Sequence, residues 1–371
     1  MLLIQRMCKK PMNNMNHRAI STLFLRATFF FIFIVSCGGK SSSPGQFIEK
    51  NEKEVVSFIY HRFNDGRYPT TNTTTKDFEF HLKYLADHGF RIVNYSDAIA
   101  YLKSNGPTQK TACITIDDGY TSFYKHGLPL LKKYKMPATL FINTKTVGGG
   151  DYMDWSELKN AMSNGIEIGN HSHSHDYFLN KPAAERYTIF KEEIELTQNL
   201  INKNLGITPT IFSFPYGEFD QQMMSIVKEA GFIAAAAQNS GVMYDNMDFF
   251  LTPRFPMAEA YSSPAKFVEK VNTKALRIQK LTPNSGTLPP DKRPILTLTF
   301  DPTGLRMDQL QCFVQGGTCS LRIVDKEKAT ITVQASTPIS KRRRTLYTIT
   351  VPGKDGKWRW YSHLWINEKE K

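Results

Sequence analysis

From Glu54 to about Phe255 the chain alternates short apolar runs with segments of helical spacing, and this alternation narrows the fold more than any other feature. The runs are VVSFIY, FRIVNY, ACITID, ATLFIN, IEIGN, TIFSFP, FIAAAA and FLTPRF. Between them, over 75–88, 122–134, 154–163, 182–204 and 220–230, apolar residues recur at the spacing of one helix face. Strand then helix, repeated, predicts an α/β fold with a mainly parallel sheet. A distorted (β/α) barrel of about seven strands satisfies that pattern, and its catalytic side chains belong just after the C-terminal strand ends, where the loops converge.

After Lys274 the pattern changes. TPNSGTLPPDKRP is rich in turn formers, so 273–294 reads as a linker. ILTLTF, CSLRIVD, ATITVQAS, TLYTITV and KWRWYSHLWI then follow as short, evenly spaced strands, which predicts a small β-sandwich accessory domain over 295–371. The barrel domain is assigned to 54–272.

The first 36 residues carry Arg6, Lys9, Lys10, Arg18 and Arg26 and no acidic residue, followed by the apolar run ATFFFIFIVSC. Basic flank, apolar middle and small-residue end predict a secretion signal over 1–36. IVSC resembles a bacterial lipobox, with Cys37 as the lipidated residue and 37–53 as a flexible tether. An uncleaved membrane anchor is the alternative. Both place the protein outside the cytoplasm, lipid-anchored to a bacterial cell-envelope membrane or extracellular. In that compartment Cys312 and Cys319, flanking FVQGGT at an expected hairpin tip, are able to form a disulfide. Cys113, inside an apolar run, reads as a buried thiol.

The formal net charge is +13, but from Ala275 onward there are 17 basic and 8 acidic residues, so the basicity belongs to the C-terminal part. The run SKRRRT (340–345) concentrates it. Such a run is usually a solvated loop, and here it is also suited to anionic lipid or acidic glycan. One isolated basic run on an exported chain does not point to nucleic acid. Trp358 and Trp360 share a strand face, suiting either a core or a sugar platform. The accessory domain thus reads as a binding or spacing module.

Five strand ends of the barrel carry polar residues. ITIDDGY places Asp117 and Asp118 at a strand exit, where adjacent carboxylates need a metal, a cation or hydrogen bonds; capping the next helix is the plainer reading. NHSHSH places His171, His173 and His175 just after another strand. A carboxylate with two imidazoles is a common catalytic metal set, and zinc suits it. FSFPYG holds Tyr216 between Pro215 and Gly217, so that a backbone N–H there could meet an oxyanion. FIYHRF supplies His61 and TPRF supplies Arg254. In YMDWSELK, Asp154 caps a helix, while Trp155 lines the groove or packs in the core.

Together these strings resemble the polysaccharide deacetylase family, also called carbohydrate esterase family four or the NodB-homology domain. TIDDGY is similar to its T-F-D-D-G, HSHSH to its H-[ST]-x-x-H, and FSFPYG to its R-x-P-Y-G with Ser213 in place of arginine. No L-x-H string precedes the expected linker. Both departures resemble the poly-β-1,6-N-acetylglucosamine deacetylase subgroup, in which a first-strand histidine and a last-strand arginine stand in.

The resemblance implies a metal-dependent N-deacetylase acting on an N-acetylglucosamine-containing polysaccharide. Asp118, His171 and His175 would hold one divalent metal, zinc foremost, with cobalt, nickel or iron as alternatives. Asp117 would be the general base, Arg254 its orienting partner, Tyr216 the oxyanion donor and His61 the general acid. Tyr216, Trp155 and His173 would contact substrate, and Asp176 would orient an imidazole. The rival readings are an inactive glycan-binding lipoprotein, or a hydrolase of peptidoglycan, chitin-like oligomers or acetylated xylan.

Overall fold

The computed structural model describes residues 52–339 and 341–370. The expected signal, Cys37 and nearly all of the tether lie outside the described residues.

The barrel strands are β1 (Glu54–Tyr60), β2 (Arg91–Val93), β3 (Thr111–Asp118), β4 (Ala138–Ile142), β5 (Ile166–Asn170), β6 (Ile211–Ser213), β7 (Ala234–Ala236), β8 (Met243–Tyr244) and β9 (Phe255–Pro256). Their order is β8-β1-β3-β4-β5-β6-β7, with β9 added to β1 and β2 to β3. All pairs are parallel except β1 with β8. Ala236 bridges Thr252 while Phe255 pairs with Phe58, so the segment ending in FLTPRF touches both edges of the sheet and closes a distorted barrel.

Helices α1 (Thr75–Asp87), α2 (Tyr95–Lys103), α3 (Leu128–Tyr134), α4 (Trp155–Ser163), α5 (Arg186–Leu205), α6 (Gln221–Glu229) and α7 (Pro264–Val271) accompany the strands. Their ends follow from capping chemistry. Thr74 caps α1, Asp154 and Glu157 form a reciprocal capping box on α4, and Gly206 ends α5 in the left-handed conformation. Strand residues such as Phe58, Ile114, Ile116, Leu140 and Ile168 pack against Phe78 and Leu82 of α1, Leu131 of α3 and Leu158 of α4 in a continuous buried core.

The C-terminal sandwich begins earlier than expected. β10 (Lys274–Ala275) and β11 (Ile278–Thr282) fall inside 273–294, the stretch read as a linker. They join β12 (Ile295–Phe300), β13 (Gln311–Val314), β14 (Cys319–Asp325), β15 (Thr330–Ala335), β16 (Arg344–Pro352) and β17 (Trp358–Ile366). One sheet has the order β10-β17-β16-β13 and the other β11-β12-β15-β14. Leu298, Phe300 and Ile331 from one sheet meet Tyr347, Ile349 and Trp365 from the other in a shared core. The turn formers sit between β11 and β12, and propensity gave no warning of edge strands directly before them. Cys312 and Cys319 are disulfide-bonded, but not across a hairpin: β13 and β14 belong to different sheets, so the bond joins one sheet to the other. Cys113 is buried as a free thiol.

Candidate active site

Three parallel strands converge on one polar cluster at their C-terminal ends. β3 ends on Asp117 and Asp118, β5 runs into His171, and β6 runs into the Pro215–Gly217 turn. Of the ten described non-glycine residues with positive φ, Asp118 (76°), Ser172 (61°), His175 (57°) and Tyr216 (58°) lie here. Such strained backbone gathers where side chains must be aimed against local preference. At Gly217 (φ 69°) a β-carbon would come within 2.7 Å of Gln238, so the turn tolerates no side chain there.

Asp118, His171 and His175 bring one ligand atom each into a tight triangle. Asp118 Oδ1 is 3.5 Å from His171 Nε2 and 3.3 Å from His175 Nε2, and the two nitrogens are 3.2 Å apart. Ligands at about 2.1 Å from a common metal are separated by about 3.0–3.4 Å, so the triangle has the size of a coordination face. Asp118 Oδ1 is buried without a hydrogen-bond partner, which is costly unless a cation satisfies it. His171 Nδ1 lies 2.7 Å from the Ser213 carbonyl; donating there fixes the tautomer and leaves Nε2 with a free lone pair. Burial opposes ionisation of Asp118, yet the neighbouring histidines hold it well below the usual carboxylate range. Burial, with His171 next to it, pushes His175 down to about 4. These residues fit a divalent metal.

Asp117 faces the same centre, with Oδ2 3.7 Å from His171 Nε2. Arg254 grips it with both terminal nitrogens, at 2.7 and 2.9 Å, and both side chains are fully buried. The remaining guanidinium donors reach the Ala237 carbonyl, Thr115 Oγ1 and Ser213 Oγ. Burial alone would raise the Asp117 pKa, but Arg254 and His171 bring it below the ordinary value. Ser213 therefore bridges Arg254 and Asp117. His61 follows β1 at the same mouth, half-buried, and close enough for its charge to act on Asp117, Asp118 and His175.

The Tyr216 ring packs edge-on to His175 at 4.4 Å and stacks on Tyr177 at 3.9 Å. His173 turns away from the triad, its Nδ1 2.9 Å from Thr144 Oγ1 and its backbone N–H donating to Glu193. Trp155 opens α4 and packs half-buried on the barrel core. Asp176 orients no imidazole; its carboxylate pairs with Lys181 at 2.5 Å.

The basic run is also not simply solvated. Arg343 is buried and makes a bidentate pair with Glu218, at 2.7 and 2.6 Å, two residues beyond Tyr216. Its guanidinium lies 4.1 Å from the centre of the Tyr177 ring. Arg344 Nη1 donates to the Tyr216 carbonyl at 3.1 Å. The sandwich thus contacts the turn that carries Tyr216. Sequence reading missed Glu218, and no local signal marks it.

A family model described as Polysaccharide deacetylase matches residues 104–235, which include Asp117, Asp118, the histidines and Tyr216. The chain has a polysaccharide deacetylase domain. It is 25% identical over 214 residues to the poly-β-1,6-N-acetyl-D-glucosamine N-deacetylase of Staphylococcus aureus, covering 55% of this chain and 73% of that protein. Among solved structures, IcaB from Ammonifex degensii superposes with a TM-score of 0.53 at 24% identity, over 59% of this chain and 97% of that one. The Streptococcus pyogenes deacetylase PplD, in complex with acetate, gives 0.54 at 18% identity, over 59% and 99%. The deacetylase domain is a hydrolase of a metal-dependent family, and Asp118, His171 and His175 form a triad able to hold a metal.

Proposed function

We propose that this protein removes N-acetyl groups from an N-acetylglucosamine-containing extracellular or cell-envelope polysaccharide, and that it is exported and lipid-anchored through Cys37. The observation that carries the catalytic reading is the buried, unpartnered Asp118 Oδ1 facing two imidazole nitrogens beside a carboxylate clamped by arginine. Likeness to the Staphylococcus aureus enzyme supports the polymer class.

One divalent ion, zinc foremost, held by Asp118, His171 and His175 would supply Lewis acidity at the acetamide carbonyl and acidify a water. Asp117 Oδ2, the oxygen facing the triad, accepts the proton of the attacking water. Arg254 keeps that carboxylate ionised and fixes both of its oxygens, so the base is aimed before substrate arrives. The backbone N–H of Tyr216 donates to the developing oxyanion. His61, protonated, gives its proton to the departing nitrogen as the C–N bond breaks, leaving acetate and a free amine.

The deciding experiment incubates the purified chain and zinc with β-1,6- and β-1,4-linked N-acetylglucosamine polymers and measures released acetate. Release from the β-1,6 polymer is expected. Release from neither polymer, nor from acetylated xylan or peptidoglycan, contradicts the enzyme reading and leaves a glycan-binding protein.

A further inference from the structure

A cleft of about 470 Å³ runs between the outer face of the β13-β16-β17 sheet and the barrel segment around α7. Its walls are aromatic. Tyr261, Phe313 and Trp358 are 58%, 52% and 38% exposed, and they are three of the ten exposed large apolar side chains among the described residues. That exposure leaves part of each ring open to solvent. Trp360, deeper in the cleft, is held edge-on to Phe255 with the Lys270 ammonium 3.7 Å from its ring centre.

Polar groups are interleaved with the rings. Gln311 pairs in register with Thr350, and Thr350 with Trp360, so an amide, a hydroxyl and an indole form one row across the sheet. Aromatic faces beside amide and hydroxyl groups match the two surfaces of a sugar ring, apolar C–H faces and a polar edge. The turn bearing Tyr261 is anchored, because the neighbouring Ser262 carbonyl lies 2.8 Å from Nε2 of buried His81.

The cleft is lined by β9, the strand that directly follows Arg254. Pro256, on its floor, is two residues from Arg254, so their α-carbons lie within about 7 Å. β9 runs parallel to β1, which leads into His61. Ser240, also in the lining, follows Asn239, whose carbonyl accepts the Arg254 N–H. The charge within the cleft also selects. Glu269 is paired with both Lys266 and Lys270, at 2.8 and 2.7 Å, which leaves one positive charge on the three groups. That excess disfavours protonated glucosamine and offers acetylated, uncharged residues no penalty.

We propose that this cleft is a second glycan site, holding uncharged N-acetylated sugar residues of the same polymer chain that presents an acetamide to the catalytic centre. The proposal rests on reading the protein as an N-acetylglucosamine polymer deacetylase. It assigns the sandwich a part in substrate binding, and it predicts that affinity falls as a bound stretch becomes deacetylated.

The test compares the full-length chain with Trp358→Ala, Tyr261→Ala and the double variant. Binding of a long N-acetylglucosamine oligomer, of its deacetylated form and of the disaccharide is followed by calorimetry, and acetate release by kinetics. In the double variant, Kd and KM for the long acetylated oligomer should rise about tenfold, with kcat and the disaccharide KM unchanged. The wild-type chain should bind the deacetylated oligomer more weakly. Unchanged long-oligomer Kd in the double variant, or no binding by wild type, overturns the second site. Absence of acetate release with intact, Trp358-dependent binding instead contradicts the catalytic reading and leaves the cleft standing.

Discussion

Two buried carboxylate–guanidinium pairs, one within the barrel and one joining the barrel to the sandwich, differ in an instructive way. Asp117–Arg254 and Glu218–Arg343 are both bidentate, with contacts of 2.6 to 2.9 Å. Geometry alone does not separate them. Their surroundings do. Asp117 looks onto His171 and the unpartnered Asp118 Oδ1, so its charge is available to chemistry. Glu218 is enclosed by the docked sandwich: Arg343 also donates to the Glu370 carbonyl, Arg344 approaches Glu218 at 3.8 Å, and among the described residues Glu218 belongs to no cluster able to hold a metal. In the proposed mechanism one pair aims a base. The other fastens a domain beside the Tyr216 turn. A buried bidentate pair therefore signals function only when the carboxylate has a second, unsatisfied neighbour to act on.

That contrast is open to direct attack. The largest effect is expected for Asp117→Asn, which should lower kcat by about 10³-fold or more while metal content stays at the wild-type level. Activity near wild type removes Asp117 from the base role. Arg343→Ala should destabilise the chain by about 3–5 kcal/mol, because Glu218 is left buried without its partner. Chemical unfolding reads this loss. The paired change Glu218→Gln with Arg343→Met should recover most of it, whereas Asp117→Asn with Arg254→Met should recover no activity. If the two double variants behave alike, the distinction between the pairs fails. His61→Ala should lower kcat by about 10²-fold at unchanged metal content, and an unchanged kcat takes His61 out of the reaction. The smallest effect belongs to the sandwich. Replacing Cys312 and Cys319 by serine should cost about 2 kcal/mol in unfolding experiments and leave kcat unchanged.

The same contrast explains what was legible beforehand. The residues of the proposed triad and base sit in two short strings, and strand exits of an α/β barrel point at one mouth, so TIDDG and HSHSH located Asp117, Asp118, His171 and His175, while the division into base and ligands came from the family resemblance. His61 and Arg254 stood out at the ends of the first and last strands, their roles came from the family resemblance, and the structure brings both to the centre. The sandwich offered no such strings. SKRRRT looked like a solvated loop because its anchor, Glu218, lies 125 residues away from Arg343 and carries no motif. β10 and β11 are short edge strands beside a turn-rich stretch, and their pairing partners, β17 and β12, lie elsewhere in the chain. Trp155, with apolar neighbours on its own helix, packed on the core, and Asp176 took the nearest lysine. Local pattern resolved local chemistry. Contacts made between domains were set by packing that no window of sequence displays.

The central proposal is that Asp118, His171 and His175 hold one divalent metal on which deacetylation depends. Elemental analysis of the purified wild type and of His171→Ala, after equal exposure to zinc, tests it most directly. The account predicts one ion per wild-type chain and loss of that ion in His171→Ala, together with loss of acetate release. One ion retained in His171→Ala would contradict it.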